Sequence, residues 1–267
     1  MRELVFGHTS SGKKGTKGGS RIRVLIYKDL EELSRAGAAL FLESAIEETE
    51  AKRYFTVLLS GGRTPQRLYE LLTEDEYKDK ISWSDTYLFW GDERCVNLTH
   101  PDSNYRMVSE ALLCGVEIPP ENIHAIAGEL KEGAAFLYEE EVKSFFETHN
   151  NKYVKFPVFD FALMGLGSDG HILSLFPNTS ALGATSRILM DVHVKEALVS
   201  HRVTMTIPVI NKASKIIFLV SGEGKSEILK STLEGDYDPR RFPAHGLKPD
   251  KGEIIYLVDE AAASLLS

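Results

Sequence analysis

Two side chains able to handle a proton near neutral pH stand two positions apart in residues 158–177, VFDFALMGLGSDGHILSLFP: Asp169 and His171. An imidazole has its ordinary pKa near neutrality, so it can take a proton from water and return it. A carboxylate beside it can orient the ring, or can shape the turn by an Asx-type bond; the spacing leaves both roles open. The apolar run 159–166 precedes them, and Gly165, Gly167 and Gly170 surround them. This pattern describes a buried strand that delivers a polar turn at its carboxyl end, where parallel α/β sheets carry their ligands.

A second set suits an anion. Ser60-Gly61-Gly62-Arg63-Thr64-Pro65 follows the apolar run 55–59. Pro65 is expected to open a helix, because its missing N–H costs nothing at the first helical position. Glycines allow close backbone approach, and the free N–H groups at the helix start then face a phosphate-sized group with the positive end of the dipole behind them. An ordinary strand–turn–helix corner would read the same way. Arg94, Arg202 and Lys225 are the further phosphate candidates, guanidinium forks and an ammonium point charge, although each alone also suits a surface ion pair. Asp92, Glu93 and Arg94 follow the run 86–90 and form either a solvated edge or a functional rim.

The elements that must position these groups alternate along the chain. Strands are expected at 22–27, 55–59, 86–90, 123–126, 159–166, 202–206, 215–220 and 253–258. Helices are expected after an Asp29 cap through Lys52, from Pro65, from a cap at Asp102 or Ser103 through Leu113, over 131–149, and through Leu233. A short terminal helix would be capped by Asp259. Glu139, Glu140 and Glu141 read as the solvated face of the fourth of these. Strictly alternating elements imply a three-layer α/β/α, Rossmann-like domain with a mostly parallel sheet, expected over 21–267. Residues 8–20, HTSSGKKGTKGGS, contain nothing apolar, so a flexible N-terminal tail is expected over 1–20.

Composition removes several classes. The chain has 267 residues, 43% of them hydrophobic, enough to fill a core, and a formal net charge of -8. That balance argues against nucleic acid or an anionic membrane as partner, while leaving room for a local basic pocket. Cys95 and Cys114 lack C-x-x-C spacing and are expected to be buried thiols; the eight histidines are scattered, so no metal is expected. No apolar run reaches membrane-span length and no signal core opens the chain, which points to the cytoplasm.

Gly165-Leu166-Gly167-Ser168-Asp169-Gly170 also matches the dinucleotide motif G-x-G-x-x-G, with Asp191 about 20 residues beyond. Pro177 would interrupt the long helix that motif must open, the match falls late in the chain, and Asp169 would face a pyrophosphate with negative charge. No G-x-S-x-G nucleophile elbow is present.

The ordered set Ser60-Gly61-Gly62-x-Thr64-Pro65, Asp92-Glu93-Arg94, Ser103-Asn104, 165–171 running into Ser174-Leu175-Phe176-Pro177, Arg202-Val203-Thr204, and Gly222 with Lys225 resembles the 6-phosphogluconolactonase family over about residues 22–266. Position 63 is Arg where Ser is common, and 172 is Ile where Thr is common. The resemblance implies hydrolysis of 6-phospho-D-glucono-1,5-lactone to 6-phosphogluconate, without a cofactor, by a monomer or homodimer. It implies His171 and Asp169 as the catalytic pair. Substrate contacts are implied for Gly61, Gly62, Arg63, Thr64, Arg94, Asn104, Gly167, Arg202 and Lys225. The related glucosamine-6-phosphate deaminases carry a Glu-Pro shortly after the histidine, where this chain has Phe176-Pro177, and Asp-Glu-Tyr where it has Asp-Glu-Arg. A non-catalytic sugar-phosphate-binding protein on the same fold is the third reading, against which the retention of both His171 and Asp169 weighs.

Overall fold

The computed structural model describes residues 1–7, 21–150, 152–194, 199–249 and 251–267. Its strands are β1 (Arg2–Gly7), β2 (Arg21–Tyr27), β3 (Phe55–Leu59), β4 (Thr86–Trp90), β5 (Asp92–Arg94), β6 (Ile123–His124), β7 (Phe161–Gly165), β8 (Leu189–His193), β9 (His201–Met205), β10 (Lys215–Val220) and β11 (Glu253–Asp259). Eight of them form one sheet in the order β1-β2-β11-β10-β7-β3-β4-β6, parallel throughout except for the antiparallel β1–β2 pair. The other three, in the order β5-β9-β8, make a small antiparallel sheet.

The helices are α1 (Leu30–Lys52), α2 (Arg63–Leu72), α3 (Asp75–Lys78), α4 (Asn104–Ala111), α5 (Ala134–Asn150), α6 (Ile207–Ile210) and α7 (Ser226–Glu234). They sandwich the sheet, and the register shows how. Phe41 of α1 meets Phe55 and Phe161 at ring separations of 5.2 and 5.5 Å. Phe89 pairs with Leu58, one position out of step with Phe55 and Val57, so it points to the opposite face and meets Phe145 of α5 at 5.1 Å. Covered on both sides, β3 is buried at all five positions, as a parallel strand between two helical layers must be. The mixed three-layer α/β fold and its mostly parallel sheet are those expected. From β3 the chain goes on to β4, and from its neighbour β7 it goes the other way to β10. A crevice opens at such a reversal, beyond the carboxyl ends of the two strands.

Several local expectations change. Arg2–Gly7 pairs with β2, so the first residues of the expected 1–20 tail are strand; the rest of that tail, 8–20, lies outside the described residues. Helix α2 begins at Arg63 behind Gly62, two residues ahead of Pro65. Ser103, not Asp102, caps α4, its side chain accepting from Arg106 N. Glu139 is not on a solvated face: it is buried, and accepts from Arg187 Nε at 2.9 Å and from Ile188 and Leu189 N at 3.2 Å each. Helical spacing could not show that β8 packs there. Asp259 accepts from Ala262 N at 2.7 Å, but turns rather than a helix follow it. Cys95 is buried as expected, whereas Cys114 is exposed. No helix among the described residues is long and apolar enough to cross a membrane.

Candidate active site

No helix follows β7. The chain instead closes a tight turn in which Gly167 N donates to His171 O at 2.8 Å and Gly170 N to Gly167 O at 3.0 Å. A Cβ on Gly167 would collide with the His171 ring and the Asp169 carboxylate, so only glycine lets the imidazole lie back on this turn. Asp169 fills both of its candidate roles at once. Its Oδ1 accepts the backbone N–H of His171 at 3.1 Å and meets ring Nδ1 at 2.5 Å. Burial disfavours the charged carboxylate, but the bonds from the His171 ring and backbone outweigh it and hold the pKa down at about 2. An ionised carboxylate can only accept, so Nδ1 carries the proton and Nε2 of the neutral ring keeps its lone pair for water.

Asp169→Asn is therefore expected to lower kcat by about tenfold or more with little change in KM, because an amide accepts from Nδ1 without enforcing the tautomer. Steady-state kinetics checks this, and an unchanged kcat would separate the carboxylate from the ring's function. The same change acts on stability. A folded pKa below the ordinary value of about 3.9 favours the fold fully above that value, and the benefit fades as pH falls toward 2. Denaturant melts should accordingly show wild type losing its advantage over the variant across that acid window.

The His171 ring faces a cavity of about 520 Å³ at the β3–β7 crevice. Gly61, Gly62, Arg63, Thr64, Arg94, Asn104, Gly167, Arg202 and Lys225 line it too, so one space gathers every candidate named from the sequence except Asp169, which stands behind the ring. Gly62 has a φ of 106°, a conformation that favours glycine, and as N-cap it offers α2 no side chain. The first-turn N–H groups of α2 are thereby left to a ligand.

The cations converge from two strands, β5 and β9, and from the turn that follows β10. Arg94 and Arg202 are direct partners in the β5–β9 register. Burial, and next the charge of Arg94, lower the pKa of Arg202. Two like charges held opposite each other are unfavourable until an anion comes between them. Arg94 Nη1 donates to Asp102 O at 2.6 Å, while its Nε is buried with no partner among the described residues. Lys225 Nζ donates to Leu166 O at 2.6 Å, beside the turn that carries His171; burial lowers its pKa and Asp169 partly opposes this. Arg63 is exposed at the rim.

The remaining members of these motifs are framework. Asn104 donates through Nδ2 to Asp92 O and Oδ1 at 2.9 and 3.2 Å, so its amide donors are committed, and its Oδ1 sits where a Cβ on Gly61 would be. Asp92 also accepts from Ser174 Oγ at 2.6 Å, tying β5 to the segment that follows the 165–171 turn. Glu93 is buried and accepts from Arg94 N, Ser103 Oγ, Asn104 N and Tyr105 N at 2.7–3.0 Å, anchoring the start of α4. Of the charged trio, then, Arg94 reaches the cavity as a cation and the two acids hold the loop. Asp259 does the same for the Lys225 loop, accepting from Ser221 Oγ and Gly222 N. Position in the chain gave no sign of that duty.

A histidine backed by a carboxylate shares one α/β crevice with clustered cations, the arrangement of an enzyme for phosphorylated sugars. Residues 28–256 match the family model described as glucosamine-6-phosphate isomerases/6-phosphogluconolactonase, and the chain belongs to that family. Among its relatives, the 6-phosphogluconolactonase of Synechocystis sp. is 42% identical over 213 residues, 79% of this chain and 84% of that one. The 6-phosphogluconolactonase of Nostoc sp. is 40% identical over 228 residues, 85% of this chain and 89% of that one. Among solved structures, the devB protein, 29% identical, superposes with a TM-score of 0.82 over 92% of this chain and all of the other, 100%.

Proposed function

We propose that the protein hydrolyses 6-phospho-D-glucono-1,5-lactone to 6-phospho-D-gluconate, the second step of the oxidative pentose phosphate pathway. The observation that carries this reading is the His171–Asp169 pair facing the same cavity as Arg94, Arg202 and Lys225. Two relatives at 40–42% identity bearing the lactonase name support it. A lactone carbonyl needs an activated water, donors for the developing oxyanion and a proton for the departing ring oxygen, all of which side chains and backbone can supply. With a net charge of -8 over the whole chain, neither nucleic acid nor an anionic membrane is called for, and we assign the reaction to the cytoplasm.

In this mechanism Nε2 of His171 takes a proton as water adds to the C1 carbonyl, and the carbonyl electrons move to oxygen. The tetrahedral intermediate collapses, the bond from C1 to the ring oxygen breaks, and the imidazolium returns the proton to the leaving alkoxide. Asp169 steadies the imidazolium in between. The N–H groups of Gly167, Gly170 and His171 are already engaged, whereas the 61–64 loop at the start of α2 offers backbone donors for negative charge. Arg94, Arg202 and Lys225 hold the phosphate.

The test supplies fresh 6-phosphogluconolactone, corrected for its spontaneous hydrolysis, with glucosamine-6-phosphate in parallel. Turnover of the lactone alone is expected; ammonia release from the amino sugar, or lactone binding without turnover, would overturn the reading. Arg202→Ala or Lys225→Ala should raise KM by about tenfold or more, as loss of a charge-assisted bond does. A pure kcat defect in either variant would contradict the phosphate assignment.

A further inference from the structure

Phe176 takes no part in the steps above, yet its ring touches both halves of the site. The ring centroid lies 4.3 Å from that of His171, with 32° between the planes. The Arg202 guanidinium carbon stands over the same ring at 5.4 Å. The backbone pins it there. Thr179 donates to Phe176 O through N at 3.3 Å and through Oγ1 at 2.8 Å, and two positions earlier Ser174 Oγ is bonded to Asp92.

The bond from Nδ1 to Asp169 fixes one edge of the imidazole but leaves the ring able to swing about that edge. Gly167 bounds it at the turn, and the remaining freedom is removed only by a contact on the ring itself. Arg202 has a complementary need. Its Nε reaches Val199 O at 3.3 Å, a long bond, while burial and Arg94 both work against its charge. An aromatic face beneath a desolvated guanidinium supplies both attraction and direction.

We propose that Phe176 is a positioning residue shared by the base and the anion clamp: one ring holds the His171 imidazole in line for water and the Arg202 guanidinium over the phosphate position, coupling the two. The identity of the reaction here rests on the lactonase reading, whereas the shared contact does not. It also gives the residue standing where the deaminases carry glutamate a task of its own.

The experiment compares Phe176→Ala, Phe176→Leu and Phe176→Tyr, with thermal melts establishing that each is folded. Phe176→Ala should lower kcat by about tenfold or more, since small displacements of a catalytic group carry effects of that size. Phe176→Tyr keeps the π-face and should restore both kcat and KM. Phe176→Leu keeps apolar bulk without the π-face, so it should weaken inorganic phosphate, measured by calorimetry, about threefold or more. In an Arg202→Ala background that phosphate effect should vanish. The imidazole NMR signals of His171 should shift or broaden in Phe176→Ala and return in Phe176→Tyr.

Phosphate affinity and the imidazole signals are independent of lactone turnover. Wild-type protein that fails to turn over the lactone would overturn the lactonase reading. Phe176→Ala with unchanged kcat and an unchanged His171 spectrum would overturn the positioning role. Should that variant not fold, Phe176→Leu decides: an equal phosphate effect with and without Arg202, or none, overturns the coupling.

Discussion

His171→Ala is expected to cut lactone hydrolysis by a factor of about 100 or more while the fold survives. The magnitude follows from what would be lost in the proposed mechanism: one group that both accepts the proton from water and donates it to the leaving oxygen. The fold should tolerate the change because the ring is part-exposed at the cavity wall, with a side-chain exposure of 30%, and among the described residues its one hydrogen bond is to Asp169. The backbone bonds that close the turn, Gly167 N to His171 O and His171 N to Asp169 Oδ1, do not need the imidazole. Initial rates on fresh lactone, together with a thermal melt, check both halves of the statement. Activity near wild type would remove His171 from the mechanism, and with it the reason for the Asp169 pairing.

The second large effect falls on stability. Glu93→Ala should destabilise the protein by about 3 kcal/mol or more, because it strips the acceptor from four donors at once. Three of these are backbone N–H groups, two of them at the start of α4. Water could reach them only by opening the joint between β5 and α4. Burial pushes the Glu93 carboxyl pKa up, and the N–H donors pull against it. Urea melts should show a lower midpoint with an unchanged slope. Because Glu93 neighbours Arg94, the folded variant should also bind substrate less well. A midpoint within experimental scatter of wild type would show that α4 stands without this anchor.

Glu93 also marks where reading the residues in order stops being sufficient. Asp-Glu-Arg after an apolar run has the composition of a solvated edge, and nothing local distinguishes that from a buried joint. The distinction depends on α4 returning to place its N–H groups on the carboxylate. Glu139 is the same case: helical spacing put it among solvent-facing acids, and the packing of β8 buried it. Pro65 shows the smaller, local kind of error. The helix it was expected to open already starts at Arg63, because Gly62 at φ 106° turns the chain earlier than the proline rule suggests.

What the sequence by itself determined is the part governed by short-range physics. Apolar runs five or six residues long became strands, with β3, β4 and β10 at the expected bounds, because such runs fit only between two covering layers. Asp29 caps α1 through Glu32 N since that contact needs only neighbouring residues. The turn at 165–171 was legible for the same reason: its glycines, carboxylate and imidazole interact across at most a few positions. The tertiary structure alone decided which distant side chains share a space. It set Arg94 against Arg202 in one register and brought Lys225 to Leu166. It committed Asn104 to Asp92, and it placed Phe176 against both the imidazole and a guanidinium. Those meetings follow from strand order and layer packing, which no local rule of spacing contains.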